Sequence, residues 1–392
     1  MYDYKTLLNH SLMAKENLMR HYWDPVNKHF INYTTSMVWE YGIVLFGLET
    51  LYEVTGDETL KEYFVGQMKY VEEHIGVENL VTVRGTDPNI ANDDSGWNAL
   101  AMMSTWRMTG YEKALDYAHD VIVNSYEYFK DGDVANGLWY RLADQFNPDL
   151  IGVNIKCMTC AALILAALDY SEVTKGTDRY DEKMYQDTLT LYNWVESNLL
   201  RGGVHDYGKG KISYSNDYLY YMTVRYYPEE DVECPEGLGF ENRICEGWSI
   251  SCLFGNMAMA VIHKKLYEIT GDRIYFERAL RTAQALSMSP FYTADGIFVN
   301  DRDAWCNATF AGRFVKEVMS MGHMPSMPRL KKLFINTAQS IVENCITPDG
   351  RYRGSWGGSG IWDAHSGPNW MKTNGTTIQM LHAALQCEKL YP

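Results

Sequence analysis

Two carboxylates stand next to each other in the run Asn92-Asp93-Asp94-Ser95-Gly96-Trp97-Asn98-Ala99-Leu100, where a Gly/Pro/Asn-rich loop (85–92) gives way to an apolar helical pattern. A pair of carboxyl groups is the minimum for cutting a glycosidic bond: one attacks or activates water, the other protonates the leaving oxygen. Like charges this close do not both ionise readily, so one of the two is pushed toward the protonated form and supplies the acid. Neighbouring side chains can hold their carboxyl groups about 5–6 Å apart, nearer the retaining separation than the inverting one. The plainer reading is a helix cap, because the exposed N–H groups and positive dipole end of a helix favour acidic residues in its first turn.

The tryptophans tip the balance toward chemistry. Trp39, Trp97, Trp248 and Trp305 fall at the starts of long apolar helical segments, and Trp139, Trp356, Trp362 and Trp370 fall in the loops beside them. Aromatic faces with a polar tip suit pyranose rings, which offer apolar faces and hydroxyl edges. The expected sugar-binding set is therefore Trp39, Asn92, Trp97, Trp139, Asn154, Lys156, Glu246, Trp248, Trp305 and Trp362 around catalytic Asp93 and Asp94. In this set Asn154 and Lys156 open a helix and Glu246 is a third carboxylate. Asp301, Arg302 and Asp303 read as a charged turn. Arg313, in the middle of an apolar segment, needs a partner, and both a structural ion pair and a substrate contact are open to it. His205, His263, His323 and His365 share no ligand spacing, and no phosphate-binding or zinc-hydrolase motif is present, so neither a cofactor nor a metal is expected. Cys157 and Cys160 lie beside an apolar run and read as buried helical thiols; zinc would require a second pair or suitably spaced histidines.

The elements that must position these groups form an internal repeat. A long apolar segment ends in a Thr-Gly or Gly turn and a more amphipathic helix follows: 37–54 then 58–75, 97–109 then 111–124, 154–174 then 181–199, 248–270 then 273–286, and 304–321 then 328–344. The helix 4–22 precedes the series and 373–390 closes it. Segments that are apolar nearly all round, such as 161–168, belong inside; those with one apolar stripe, such as Ala114, Tyr117, Ala118, Val121 and Ile122, belong outside. Six inner and six outer helices in alternation give an all-α (α/α)6 toroid occupying residues 1–392 as one catalytic domain. The longer connections (76–93, 125–153, 200–245, 287–303 and 346–372) gather at one end, above the N-termini of the inner helices. Long loops on a rigid scaffold are where function concentrates. The stretch 203–245 has room for a small β-hairpin.

The net charge of −15 argues against nucleic acid, which demands a basic footprint, and against anionic membranes. A neutral oligo- or polysaccharide is the expected partner. No run of about 18 apolar residues exists, so no membrane span is expected. No basic, then apolar leader opens the chain, so the expected location is cytoplasmic as the chain stands, and extracellular or cell-surface if a leader has been removed.

The pattern N-D-D-x-x-W at 92–97 resembles glycoside hydrolase family 76, the α-1,6-mannanases. So do the run from Trp248-Ser249-Ile250-Ser251 through Gly255-Asn256-Met257-Ala258 to Thr270-Gly271-Asp272, and Phe310-Ala311-Gly312-Arg313-Phe314. The loop 357–362 and the helix carrying Thr376-Thr377 continue the likeness, which runs in order from about residue 37 to the end. The resemblance implies an (α/α)6 fold and a retaining endo-mannanase, with Asp93 as nucleophile and Asp94 as general acid/base. Two alternatives remain at this point. One is another carbohydrate enzyme on this scaffold, such as an unsaturated uronyl hydrolase or a sugar epimerase; the other is a glycan-binding protein without catalysis.

Overall fold

Residues that are apolar on all sides need partners on all sides, and in this chain the partners are other helices. The computed structural model describes residues 2–31, 39–76, 80, 92–131, 133–138, 154–157, 160–206, 212–220, 223–226, 253–288, 292–298, 308–322, 324, 326–354, 356–357 and 370–392. Twelve α-helices occupy most of them: α1 (Tyr4–Tyr22), α2 (Glu40–Thr55), α3 (Lys61–Tyr70), α4 (Asn92–Thr109), α5 (Glu112–Phe129), α6 (Ala161–Thr174), α7 (Glu182–Asn198), α8 (Leu253–Thr270), α9 (Arg273–Met288), α10 (Ala311–Arg313), α11 (Met327–Ser340) and α12 (Met371–Leu390). π-helical turns extend α3 over Val71–Ile75, α10 over Phe314–Val318 and α11 over Ile341–Cys345.

The even-numbered helices form a closed ring. α2 packs on α4, α4 on α6, α6 on α8, α8 on the turn that extends α10, that turn on α12, and α12 back on α2. The odd-numbered helices lie outside: α5 against α4 and α6, α7 against α6, α9 against α8, and α1 and α11 against α12. This is the (α/α)6 toroid expected from the repeat. Burial follows the same division, since α6 buries Ala161 to Ser171 without a break, whereas α5 buries one stripe, including Ala114, Ala118, Val121 and Ile122.

Inner helices run parallel. Down the α2–α12 seam, His382 Nδ1 meets Gly47 O at 2.7 Å, Gln386 Nε2 donates to Glu53 at 2.9 Å, and Lys389 Nζ donates to Val54 O at 2.6 Å, so both chains advance together. Between α2 and α4, Tyr41 pairs with Asn98 near the N-terminal ends and Glu49 with Arg107 near the C-terminal ends. Parallel packing puts the N-termini of these helices, and their dipoles' positive ends, at one end of the ring. The Thr-Gly stops work as left-handed caps: φ is +69° at both Gly56 and Gly110 and +73° at Gly271, and each glycine N–H reaches back four residues to a helix carbonyl.

Two expectations about elements need correction. The third inner helix begins at Ala161 rather than Asn154, because Asn154–Cys157 forms a strand, β5, paired antiparallel with β8 (Thr223–Tyr226). Cys157 is thus in a strand and not a helical thiol; Cys160 is buried at the helix start. The small hairpin expected after residue 200 exists as β6 (Leu200–Asp206) and β7 (Ile212–Tyr220), and two short antiparallel pairs accompany it, β1 (Trp23–Asp24) with β2 (His29–Phe30) and β3 (Lys130–Asp131) with β4 (Asp133–Leu138). Among the described residues no helix is long and apolar enough to cross a membrane.

Candidate active site

Asp93 and Asp94 lie in the first turn of α4, at the N-terminal end of the ring. Asn92 is fully buried, Asp93 is 3% exposed and Asp94 is half-buried. The Asp94 N–H donates to Asp93 Oδ1 at 3.1 Å, which ties the two residues together, and Ser95 Oγ reaches Leu80 O at 3.4 Å, which ties the turn to the preceding chain. Gly96 lets this turn approach α6: a Cβ there would stand 2.6 Å from Ala162 Cβ and 3.0 Å from Leu163 N. The aspartate pair is therefore fixed by close helix–helix contact at the first turn of α4.

Helix spacing puts Trp97 one turn below Asp93 and Asn98 one turn below Asp94. Trp97 is fully buried, with ring centroids 5.8 Å from Phe254 on α8 and 5.6 Å from Phe310 just before α10. These three rings come from different sides of the ring and fill its axis. Trp97, expected as a sugar-stacking surface, is thus a core side chain. Its place at a helix start beside carboxylates is equally compatible with facing inward along the axis, and packing decides. Asn98, also fully buried, accepts a hydrogen bond from Tyr41 OH at 2.9 Å.

A second cluster stands at the same end. Lys372, on the first turn of α12 and 4% exposed, places Nζ 4.4 Å from the Trp370 ring centroid, 5.6 Å from that of Trp39, and 3.9 Å from Glu40 Oε1. Glu40 is fully buried in the first turn of α2. A cation between two indole faces and a carboxylate is well held even when dry. Trp39 is 3% exposed and so offers little surface for stacking; Trp370 is half-buried. Trp356 is fully buried, and its Nε1 donates to Thr377 Oγ1 at 3.1 Å. The tryptophans gathered at this end thus include wall-builders as well as candidates for stacking. Asn154 and Lys156 lie in strand β5, before α6 and not at its first turn. Trp139, Glu246, Trp248, Trp305 and Trp362, and the turn 301–303, lie outside the described residues.

The opposite end of the ring carries a cluster that no sequence motif marks. There a cavity of about 520 Å³ is lined by Phe46, Leu100 and Phe310 toward the interior and by charged side chains at the C-terminal ends of the inner helices. Asp169, 4% exposed at its side chain, accepts from Arg313 Nη1 at 2.7 Å and Nη2 at 3.0 Å and from Arg107 Nη1 at 3.0 Å. Arg107 also binds Glu49, and Lys265 binds Glu172 at 2.7 Å. Burial alone would raise the Asp169 pKa, but Arg313, Arg107 and Lys265 hold it well below the usual carboxylate range. Arg313 is therefore a structural ion-pair partner. Charges recurring within apolar helices, at Glu49, Arg107, Asp169, Lys265 and Arg313, were the available sequence signal. Between α7, α8 and β7, Glu196 binds His263 Nε2 at 3.1 Å and Tyr220 OH, and Tyr220 N donates to Asn256 on α8 at 2.9 Å, anchoring the β6–β7 hairpin to the ring. Among the described residues no group of three His, Cys, Asp or Glu is placed to hold a metal ion.

No family model matches the chain, and no curated protein matches it either. Solved structures do. The GH76A α-1,6-mannanase of Salegentibacter sp. superposes with a TM-score of 0.70 at 15% identity, covering 96% of this chain and 98% of that one. An inactive variant of the same mannanase, with two consecutive aspartates replaced by asparagine and α-1,6-mannotriose bound, superposes with a TM-score of 0.68 at 16% identity, covering 97% and 99%. A glycoside hydrolase family 76 mannosidase of Bacteroides thetaiotaomicron gives a TM-score of 0.69 at 14% identity, covering 98% and 100%. The chain shares their toroidal fold along essentially its whole length.

Proposed function

We propose that this chain is a glycoside hydrolase, a retaining endo-α-1,6-mannanase acting on α-mannan or manno-oligosaccharides through Asp93 and Asp94. One observation carries the reading. The chain places adjacent aspartates in the first turn of an inner helix of the toroid, and the similar mannanase that binds α-1,6-mannotriose in inactive form was inactivated at two consecutive aspartates. The N-terminal end of α4 favours negative charge, as a carboxylate nucleophile requires.

In this reading Asp93 attacks the anomeric carbon while Asp94 gives its proton to the leaving glycosidic oxygen, leaving a mannosyl ester on Asp93. Asp94, now a base, takes a proton from water, which attacks the same carbon and releases Asp93 with the original anomeric configuration. The coupling of two neighbouring carboxyls keeps one proton on the pair. The sugar subsites in this reading draw on Trp139, Glu246, Trp248, Trp305 and Trp362, and Trp370 adds a half-buried indole at the same end; Asn92, with no exposed surface, supports the turn from beneath.

The test is reducing-end release from linear α-1,6-mannan, with product stereochemistry followed by proton NMR. The expected first product is the α-anomer, and Asp93→Asn and Asp94→Asn each lower kcat/KM by on the order of a thousandfold or more. Full activity in either variant removes the assignment. Oligosaccharide binding with no release of ends after long incubation replaces it with a non-catalytic glycan-binding role.

A further inference from the structure

Two buried donors sit beneath the aspartates. Trp97 Nε1 and Asn98 Nδ2 belong to side chains with no exposed surface, and neither atom has a hydrogen-bond partner in the structure. Among the described residues, the one polar side-chain contact to this pair is the hydrogen bond from Tyr41 OH to Asn98 Oδ1 at 2.9 Å. Buried N–H groups in native proteins are almost always satisfied, so two unsatisfied donors on consecutive residues call for an acceptor. Each is four residues beyond a carboxylate on α4, Asp93 above Trp97 and Asp94 above Asn98. The Cβ atoms of residues so spaced stand about 5–6 Å apart on one helix face, which brings their side chains within reach of a shared water.

We propose that Trp97 and Asn98 are positioning residues for the reacting pair, Trp97 Nε1 holding the Asp93 carboxyl and Asn98 Nδ2 the Asp94 carboxyl, each through one bound water. The inference rests on the reading of Asp93 and Asp94 as the reacting groups. Tyr41 belongs to the device because its hydroxyl pins the amide oxygen of Asn98 and so turns Nδ2 away from α2. Hydrogen bonding to the ionised form of a carboxyl favours that form. Separate donors give the two aspartates independent control, which a shared charge environment does not. The surroundings differ as well: the rings of Phe254 and Phe310 pack against the Trp97 ring, while the Tyr41 phenol bonds the Asn98 amide oxygen.

Among the described residues, the following ionisable groups on elements packed against α4 have partners of their own. On α2, Glu40 faces Lys372 of α12 at 3.9 Å and Glu49 is bound by Arg107. After α3, Glu72 accepts from Tyr111 OH at 2.7 Å, and Glu73 and His74 form an exposed pair. At the end of α5, Glu127 is bound by Lys130. On α6, Asp169 is engaged at the far end by Arg313 and Arg107. The Asp94 N–H donates to Asp93 Oδ1 at 3.1 Å, and Glu40 and Lys372 pair across the first turns of α2 and α12.

Carboxyl carbon-13 NMR of aspartate-labelled protein, read across pH, tests this without relying on turnover. Trp97→Phe removes the N–H and keeps an aromatic ring; Asn98→Leu removes the amide and keeps the volume; Tyr41→Phe removes the pin. The expected result is a titration midpoint raised by on the order of half a pH unit for Asp93 in Trp97→Phe and for Asp94 in Asn98→Leu, each leaving the other aspartate nearer its wild-type position. Tyr41→Phe moves Asp94 in the same direction by less. The alkaline limb of kcat/KM on α-1,6-manno-oligosaccharides moves up in Asn98→Leu, since loss of the donor keeps the acid protonated to higher pH. Midpoints equal to wild type in all three variants, with only the melting temperature lowered, overturn the proposal. Shifted midpoints in a chain that cleaves none of the mannans sustain it and overturn only the assigned reaction.

Discussion

His382 and Glu196 are two buried ionisable side chains that both destabilise the fold as pH falls, in different pH windows. His382, on α12, has Nδ1 2.7 Å from Gly47 O and Nε2 3.5 Å from Ser11 O, and burial pushes its pKa from 6.5 down to about 4. The unfolded chain therefore binds more protons between these values, so stability rises with pH across the window and falls as pH drops from 6.5 toward 4. The full effect is about 3 kcal/mol. His382→Gln should flatten the urea midpoint over this range. For Glu196, burial opposes ionisation, but His263, Tyr220 and Arg278 hold the pKa at about 2, against 4.5 unperturbed. Its contribution is present above 4.5 and is lost as pH falls toward 2, so Glu196→Gln should alter only the more acid part of the curve. Asp169 carries a larger load, because Asp169→Asn leaves Arg313, Arg107 and Lys265 facing one another without their shared carboxylate. The expected loss is roughly 3–5 kcal/mol in chemical denaturation, with the Asp93–Asp94 end left intact in ligand binding.

At the scale of elements, the α4–α6 contact links stability to activity. Gly96 lies two residues after Asp94, and its missing side chain is what permits approach to Ala162 and Leu163. Gly96→Ala should cost roughly 1–3 kcal/mol in thermal or urea unfolding, as overpacking of a tight interface does. It should also lower kcat/KM at temperatures well below the melting transition, because the wedge tilts the turn that carries both carboxylates. Equal activity per folded molecule would show that the turn does not move. The neighbouring elements show where sequence periodicity succeeded. Helix α1 runs from Tyr4 to Tyr22 as read, because Asp3 accepts from Thr6 N at 2.8 Å as an N-cap and the apolar spacing is regular. Periodicity alone starts α6 seven residues early, since a strand such as Asn154–Cys157 running into an apolar helix leaves no interruption in hydrophobicity to mark the change.

The whole molecule depends on a closure between chain segments far apart in sequence. α12 completes the ring by packing on α2, across contacts such as His382 to Gly47, 335 residues apart. A chain ending at residue 370 leaves Ile43, Val44 and Gly47 of α2 without the helix that covers them. Such a truncation should lose a single cooperative thermal transition in circular dichroism, whereas removal of the terminal Tyr391 and Pro392 should cost far less. The ring also separates two unlike ends. Trp97, one turn from the aspartates, packs on Phe254 and on Phe310, which also lines the charged cavity, so substitutions among the charges of the cavity should change stability before they change sugar binding.

The sequence by itself determined the repeat and the place of Asp93-Asp94 within it. Both follow from local chemistry: a 3.6-residue apolar period, glycine stops that adopt positive φ, and acidic residues where a loop turns into a helix. Inner and outer helices could likewise be told apart, because burial on all sides and burial on one side leave different residue patterns. Only the tertiary structure decided what each side chain meets. Arg313 finds Asp169 144 residues away, Tyr41 finds Asn98 57 residues away, and Trp97 turns into the axis to meet rings from two other parts of the ring. Periodicity assigns a residue to a face of its own helix; which neighbour covers that face is fixed when the ring closes, by the joint packing of helices from the whole length of the chain.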